Sequence, residues 1–203
     1  MLDNLKNYDI ILASKSPRRK ELLEMLDVPF KIHTKDGIDE TYPADLPAEK
    51  VAEYLSRLKG RAYSEDIKDN ELIITADTVV ILDGKIYGKP KNEEDAIDML
   101  MQLQGKTHTV ATGVTIATKD ILKSFSTYTG VTFAEISREE AKYYVEKYKP
   151  LDKAGAYGIQ EWIGCAAIAG INGSYYNVMG LPVHQLYMEL KSLPPAPSHK
   201  EGE

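Results

Sequence analysis

An α/β domain on a mixed or antiparallel sheet is predicted by three observations. Tyr8 to Ala13 is a β-rich run that ends in small polar residues and leads into a helix start at Ser16-Pro17. Leu72 to Leu82, then Asp83-Gly84 and Lys85 to Lys89, read as a hairpin. Thr107 to Thr118 and Ser124 to Ala134 alternate as strands do, and capped helical segments lie before and after them.

Each element follows from a local signal. Ser16 supplies an N-cap and Pro17 the first helical position, where a missing N–H costs nothing, and the helix continues through Leu26. Lys31 to Asp45 is expected to be extended and then looped. A second helix starts near Pro47 and runs past Lys59, with Val51, Leu55, Leu58 and Ala62 on one face. Asn92 caps a third helix, whose first turn carries Glu93, Glu94 and Asp95 and which Gly105 ends. Ser137-Arg138-Glu139-Glu140 has the form of a capping box, and Pro150 stops the helix it opens. A loop of small residues, a hairpin around Asn172-Gly173 and a last helix from Pro182 complete the series. Residues 1–191 are expected to form one domain, and 192–203 a disordered tail.

Composition bounds the function. With 203 residues, 43% hydrophobic and 28% charged, the chain can bury one sizeable core or two lobes around a cleft. A formal net charge of -6 disfavours bulk nucleic-acid binding and makes any basic site local. One cysteine, Cys165, allows no intramolecular disulfide, and neither a signal peptide nor a membrane-spanning run is visible, so the cytoplasm is the expected location. The four histidines are scattered without zinc-site spacing, and Gly105-Lys106-Thr107 lacks the earlier glycine of a P-loop.

Two features point to chemistry. Lys15, Arg18, Arg19 and Lys20 crowd the helix end where the macrodipole is already positive. A bound anion held by Ser14, Ser16, backbone N–H groups and the guanidinium groups would relieve that repulsion, whereas the plain alternative is a solvated basic patch. The second feature is Asp77, set between Ile73-Ile74-Thr75-Ala76 and Thr78-Val79-Val80-Ile81. Aspartate is depleted in strands and costly to bury alone, so Asp77 reads as a metal ligand or a general base for water. A solvent-facing or paired structural acid is the alternative. Lys89 could reach a phosphate from the hairpin end, Lys59 reads alone as a lysine snorkelling from an apolar face, and Trp162, Tyr157 and Tyr175 fit base stacking or core packing equally.

Six segments in fixed order carry a family resemblance: Leu12-Ala13-Ser14-Lys15-Ser16-Pro17-Arg18-Arg19, Ile38-Asp39-Glu40, Ala76-Asp77-Thr78-Val79-Val80, Gly88-Lys89-Pro90, Ala154-Gly155-Ala156-Tyr157-Gly158-Ile159-Gln160 and Asn177-Val178-Met179-Gly180-Leu181-Pro182. The chain thereby resembles the Maf nucleotide pyrophosphatases. The resemblance implies an elongated mixed sheet flanked by helices, with two lobes around a cleft, similar to the inosine triphosphate pyrophosphatases. It implies hydrolysis of a nucleoside triphosphate to monophosphate and pyrophosphate with Mg2+ or Mn2+, held by Asp77 and Glu40. Asp77 would be the proton acceptor, and Ser14, Ser16, Arg18, Arg19, Lys59 and Lys89 the phosphate ligands. Arg18, Thr78 and Gln160 match the dTTP and UTP subgroup rather than relatives similar to 7-methyl-GTP pyrophosphatase. Glu161-Trp162 follow Gln160 where most of the family has glycine, which makes this loop bulkier and acidic. The implied partners are the nucleotide and, at most, a second copy of the chain in a homodimer. Removal of non-standard nucleotides and a link to cell-division arrest also follow from the family, and a nucleotide-sensing module without turnover is the rival class.

Overall fold

The computed structural model describes residues 2–64 and 66–196. Its order is β1 (Asp9–Leu12), α1 (Pro17–Glu24), β2 (Lys31–Ile32), α2 (Ala48–Ser64), β3 (Glu71–Leu82), β4 (Lys85–Tyr87), α3 (Glu93–Leu103), β5 (Thr107–Ala117), β6 (Leu122–Phe133), α4 (Arg138–Tyr148), α5 (Trp162–Ala166), β7 (Ile168–Asn172), α6 (Tyr175–Met179) and α7 (Val183–Lys191). The mixed seven-stranded sheet runs β2-β1-β3-β5-β6-β7, with β4 paired to β3. The expected α/β fold is the observed one. The caps are also where expected: Ser16 accepts from the Arg19 N–H, Asn92 from that of Asp95, and Ser137 with Glu140 closes a capping box.

β3 organises the molecule. One edge pairs antiparallel with β5 from Ile73 through Ile81. The other edge changes partner: Glu71 to Ile74 lie parallel to β1, and Val80 to Leu82 lie antiparallel to β4. Between those partners, residues 75–79 have no strand beside them on that edge. Open sheets put their crevices where partner strands diverge, and Asp77 stands in the middle of this gap.

The two faces of β3 are packed differently. Ile73, Val79 and Ile81 meet Val51, Leu55 and Tyr63 of α2, which crosses the sheet on that face. On the opposite face lie two cores. Leu72, Ile74 and Ala76 pack with α1 and α7 through Leu22, Leu23, Leu186 and Leu190. Val80 and Leu82 pack with α3 and α4 through Ile97, Leu100, Tyr144 and Val145. Burying each such Leu or Ile contributes about 1.5–3 kcal/mol, so both halves have their own apolar drive to fold.

Two expectations need correction. Asn172-Gly173 does not close a hairpin: β7 ends there, and Ser174 caps the short helix α6 by accepting from the Asn177 N–H. The capping serine decides the outcome because it offers the backbone a helix start where a second strand was expected. The tail boundary also moves. Leu193 and Ala196 are buried, and the Asn4 amide donates to the Leu193 carbonyl at 3.0 Å, so the chain is packed through residue 196. The remainder of the expected tail, 197–203, lies outside the described residues. No helix among the described residues is long and apolar enough to cross a membrane.

His108 is a buried titratable group within the α3–α4 core. It is 2% exposed, its Nε2 lies 2.7 Å from the Tyr157 hydroxyl, and burial pushes its pKa down to about 4. Tyr157 and Phe133 pack edge-on against it, so the Tyr157 ring is part of this core. Because the folded pKa lies below the ordinary 6.5, the unfolded chain binds a proton between those values that the folded chain refuses. This contribution is present above about pH 6.5 and is lost as pH falls through 4, with a size of about 3 kcal/mol. Denaturant titration at pH 7.0 and 4.5 should therefore show the stability gap between wild type and His108→Gln narrowing at the lower pH.

Candidate active site

The site is built at the gap in β3. The α1 N-terminus approaches it from the β1 side, where the Ser14 Oγ accepts from the Ser16 N–H at 3.2 Å and the Ser16 Oγ accepts from the Arg19 N–H at 3.4 Å. The four cations of this segment then diverge. Lys15 and Lys20 sit in exposed pairs with Asp36 and Glu24, outside the cleft or at its rim. Arg18 and Arg19 turn inward.

Arg19 fills the place of the missing strand. Its Nη1 donates to the Ala76 carbonyl at 2.8 Å, its Nη2 to the Thr78 hydroxyl at 3.1 Å and its Nε to the Gly180 carbonyl at 2.9 Å. Three of its five donors thus fasten β3 to the end of α6, and two remain for a ligand. Burial pulls its pKa down, and nearby Asp77 pushes it up. Arg18 instead reaches across the cleft to Asp152 at 2.8 Å.

On the α2 face, Lys59 Nζ lies 2.6 Å from Asp77 Oδ1 and 2.9 Å from Glu40 Oε2. Lys59 and Asp77 are each only 15% exposed in their side chains, so the lysine is part of the site and not a snorkelling surface residue. The approach of α2 depends on Gly113, the β5 residue opposite Asp77. A Cβ there would lie 2.3 Å from backbone atoms of Ala52 and Glu53, and one at Gly60 would meet Thr115 at 2.9 Å.

Asp77 and Thr78 are neighbours in a strand and so point to opposite faces. The unpaired edge lets one cleft reach both. A cavity of about 350 Å³ is lined by Asp77, Thr78, Lys89, Tyr157, Gln160 and others, and one of about 510 Å³ by Ser14, Lys15 and Ser16 among others. Arg18, Arg19, Glu40, Lys59, Lys89 and Asp152 border both, so the two spaces are halves of one cleft. Gln160 and Lys89 are exposed at its rim. Every candidate site residue therefore lies in this cleft.

A second charge cluster went unread in the sequence. Lys153, 8% exposed, lies 2.8 Å from Asp152 and 3.1 Å from Glu161. Partial burial would raise the Asp152 carboxyl, but hydrogen bonds from Lys153 and Arg18 outweigh it and hold it at about 2. The Tyr144 hydroxyl accepts from the Gly158 N–H at 3.0 Å and donates to Glu161. Glu161 thus anchors the Gln160 loop, while Trp162 packs edge-on against Tyr143. The available signal was the adjacent pair Asp152-Lys153 just ahead of the small residues Ala154-Gly155-Ala156. Gly155, at φ +67 and 2.8 Å by its missing Cβ from Val80, lets this turn press onto β3.

Among the described residues no group of three His, Cys, Asp or Glu could hold a metal ion. Asp77 and Glu40 nevertheless converge on one ammonium group and offer hard oxygen donors. That suits Mg2+, which takes one or two carboxylates and completes its shell with phosphate oxygens and water.

An α/β sheet whose edge opens onto a cleft lined by Arg18, Arg19, Lys59 and Lys89, with Asp77 and Glu40 converging on Lys59, defines a protein built to hold a polyanion. The chain belongs to the Maf family, whose model, described as Maf-like protein, matches residues 9–193. It is 58% identical over 193 residues to the dTTP/UTP pyrophosphatase of Phocaeicola vulgatus, across 95% of this chain and 100% of that protein. It is 53% identical to the dTTP/UTP pyrophosphatase of Bacteroides thetaiotaomicron, over the same shares. The chain is similar in structure to a HAM1 protein from Coxiella burnetii at 12% identity and a TM-score of 0.49, covering 92% of this chain and 100% of that one.

Proposed function

We propose that this protein hydrolyses dTTP and UTP to the monophosphate and pyrophosphate, with Asp77 at the reacting centre. The observation that carries the reading is the placement of Asp77 in one half of the cleft, 2.6 Å from Lys59, which borders both halves. A triphosphate in the half lined by Ser14 and Ser16 and a base beside Thr78 and Gln160 would put the α-phosphorus near Asp77. The identity to relatives named for this activity supports the same substrate class.

In this mechanism Asp77 orients and deprotonates the water that attacks the α-phosphorus, and the P–O bond to the β-phosphate breaks with release of pyrophosphate. Lys59, now shared with Glu40, holds the Asp77 side chain in place and aims it. Arg18, Arg19 and Lys89, with the Ser14 and Ser16 hydroxyls, take the phosphate oxygens. Positive charge fixed before substrate arrives stabilises the transition state without reorganisation, which is the main source of catalysis in phosphoryl chemistry. A divalent cation held by Asp77 and Glu40 would supply charge neutralisation at the phosphate oxygens and a more acidic water. Gln160, which can donate and accept, and Thr78 read the base edge.

The test is incubation of the purified chain with Mg2+ or Mn2+ and a panel of nucleoside triphosphates, with mono- and diphosphate products separated. UMP and pyrophosphate in equal amounts from UTP are expected. UDP and orthophosphate would reject the reading.

A further inference from the structure

The Thr78 hydroxyl has its proton assigned by its surroundings. It lies 3.1 Å from Arg19 Nη2, a group that only donates, so Thr78 accepts there. It also lies 3.0 Å from the hydroxyl of Thr112, its register partner on β5. Thr112 is fully buried, and its Oγ1 is 3.1 Å from the Asn177 carbonyl oxygen, a group that only accepts. Two oxygens this close in a dry interior require a proton between them, since facing lone pairs repel, and the Asn177 carbonyl, which accepts from the Gly180 N–H at 3.0 Å, keeps a second lone pair for Thr112. The single Thr112 proton therefore goes to Asn177. The Thr78–Thr112 bond must then use the proton of Thr78.

Asn177 cannot move to relax this pattern. It is fully buried, and its amide donates to the Val110 carbonyl and to Thr129 Oγ1, both at 3.0 Å. With its proton directed inward and one lone pair taken by Arg19, Thr78 keeps one lone pair for the cleft and no donor.

We infer that Thr112 is a specificity-determining positioning residue: it makes Thr78 an obligate acceptor, so that the cleft favours a pyrimidine whose N3 bears hydrogen over one whose N3 is itself an acceptor. Uracil and thymine have that hydrogen, and cytosine lacks it. The inference rests on the proposed function and deepens it, because it names the atom by which the base is selected. A site built to receive one hydrogen bond rejects a base that leaves its acceptor facing another acceptor.

The experiment measures kcat/KM of the full chain for UTP, CTP and the N3-methylated analogue of UTP. Wild type is expected to prefer UTP over both. Thr112→Val, which keeps the shape and removes the proton relay, should lower the UTP-to-CTP ratio about tenfold, the factor one neutral hydrogen bond is worth. Thr112→Ser should keep the wild-type ratio. A Thr112→Val protein that folds and retains the ratio would overturn the inference, as would N3-methyl-UTP turned over by wild type as well as UTP. If Thr112→Val does not fold, Thr112→Ala, which also removes the proton relay, is measured in its place and the same UTP-to-CTP ratio decides. Failure of wild type to hydrolyse UTP or dTTP at all would instead remove the proposed function; a preference for UTP that survives Thr112→Val removes only the role of Thr112.

Discussion

Asp77→Asn is expected to lower kcat for UTP by about a thousandfold, within the range found when a general base is lost. Asparagine has nearly the same size, so the fold of β3 is not disturbed. What disappears is the negative charge and the proton acceptor. Lys59 keeps Glu40 as a partner at 2.9 Å, so the variant does not strand a half-buried ammonium. Nucleotide binding, which depends on the cations of the cleft, should therefore persist or tighten through lost charge repulsion. Single-turnover kinetics combined with calorimetric titration of a nucleotide separates the two quantities. Turnover at the wild-type rate would remove Asp77 from the chemistry.

The second large effect is expected at a residue that touches no substrate. Gly113→Ala should destabilise the fold by about 3 kcal/mol, the upper range for overpacking a tight contact. For a domain of this size that corresponds to a fall in Tm of about 6–12 °C. The added methyl group would meet not a flexible side chain but the backbone of Ala52 and Glu53 at 2.3 Å, so α2 itself must move. Lys59 lies about two turns further along the same helix. Displacement there lengthens the 2.6 Å contact with Asp77, and kcat should fall together with stability. Gly170→Ala, on β7 with open space around its Cβ position, is the control and should stay within about 0.5 kcal/mol of wild type. Calorimetric scans and initial rates on the two variants check both statements.

Local chemistry made much of this structure legible in advance. Ser16-Pro17, Asn92 and the Ser137 capping box place helix starts through bonds spanning three residues, and Asp83-Gly84 closes a hairpin through its own turn. Asp77 was conspicuous because an acid amid β-branched residues violates its own setting. What could not be read were contacts whose partners are distant in sequence. Arg19 reaches carbonyls 57 and 161 residues away, so nothing near it shows that three donors are spent on backbone and Thr78. Lys59 looked like a surface lysine because the crossing of α2 over β3, set by Gly113 and Gly60, is a tertiary fact. Asn172-Gly173 misled for a different reason: the dipeptide suits a tight turn, and Ser174 then redirects it into a helix.

The long strands also govern how the protein can move. β3, β5 and β6 each run unbroken from one core into the other: Leu72, Val114 and Phe125 belong to the first, and Val80, Val110 and Val131 to the second. On the other face α2 braces the same strands along their length. A hinge between the two halves would have to break or bend three paired strands and their helix at once. Domain closure of the kind seen where lobes are joined by a few loop residues is thus denied to this architecture. Adjustment to substrate falls to the cleft rim, where Lys89 and Gln160 are exposed, and its rate should be that of side-chain and loop motion, nanoseconds to microseconds, rather than that of a rigid-body swing.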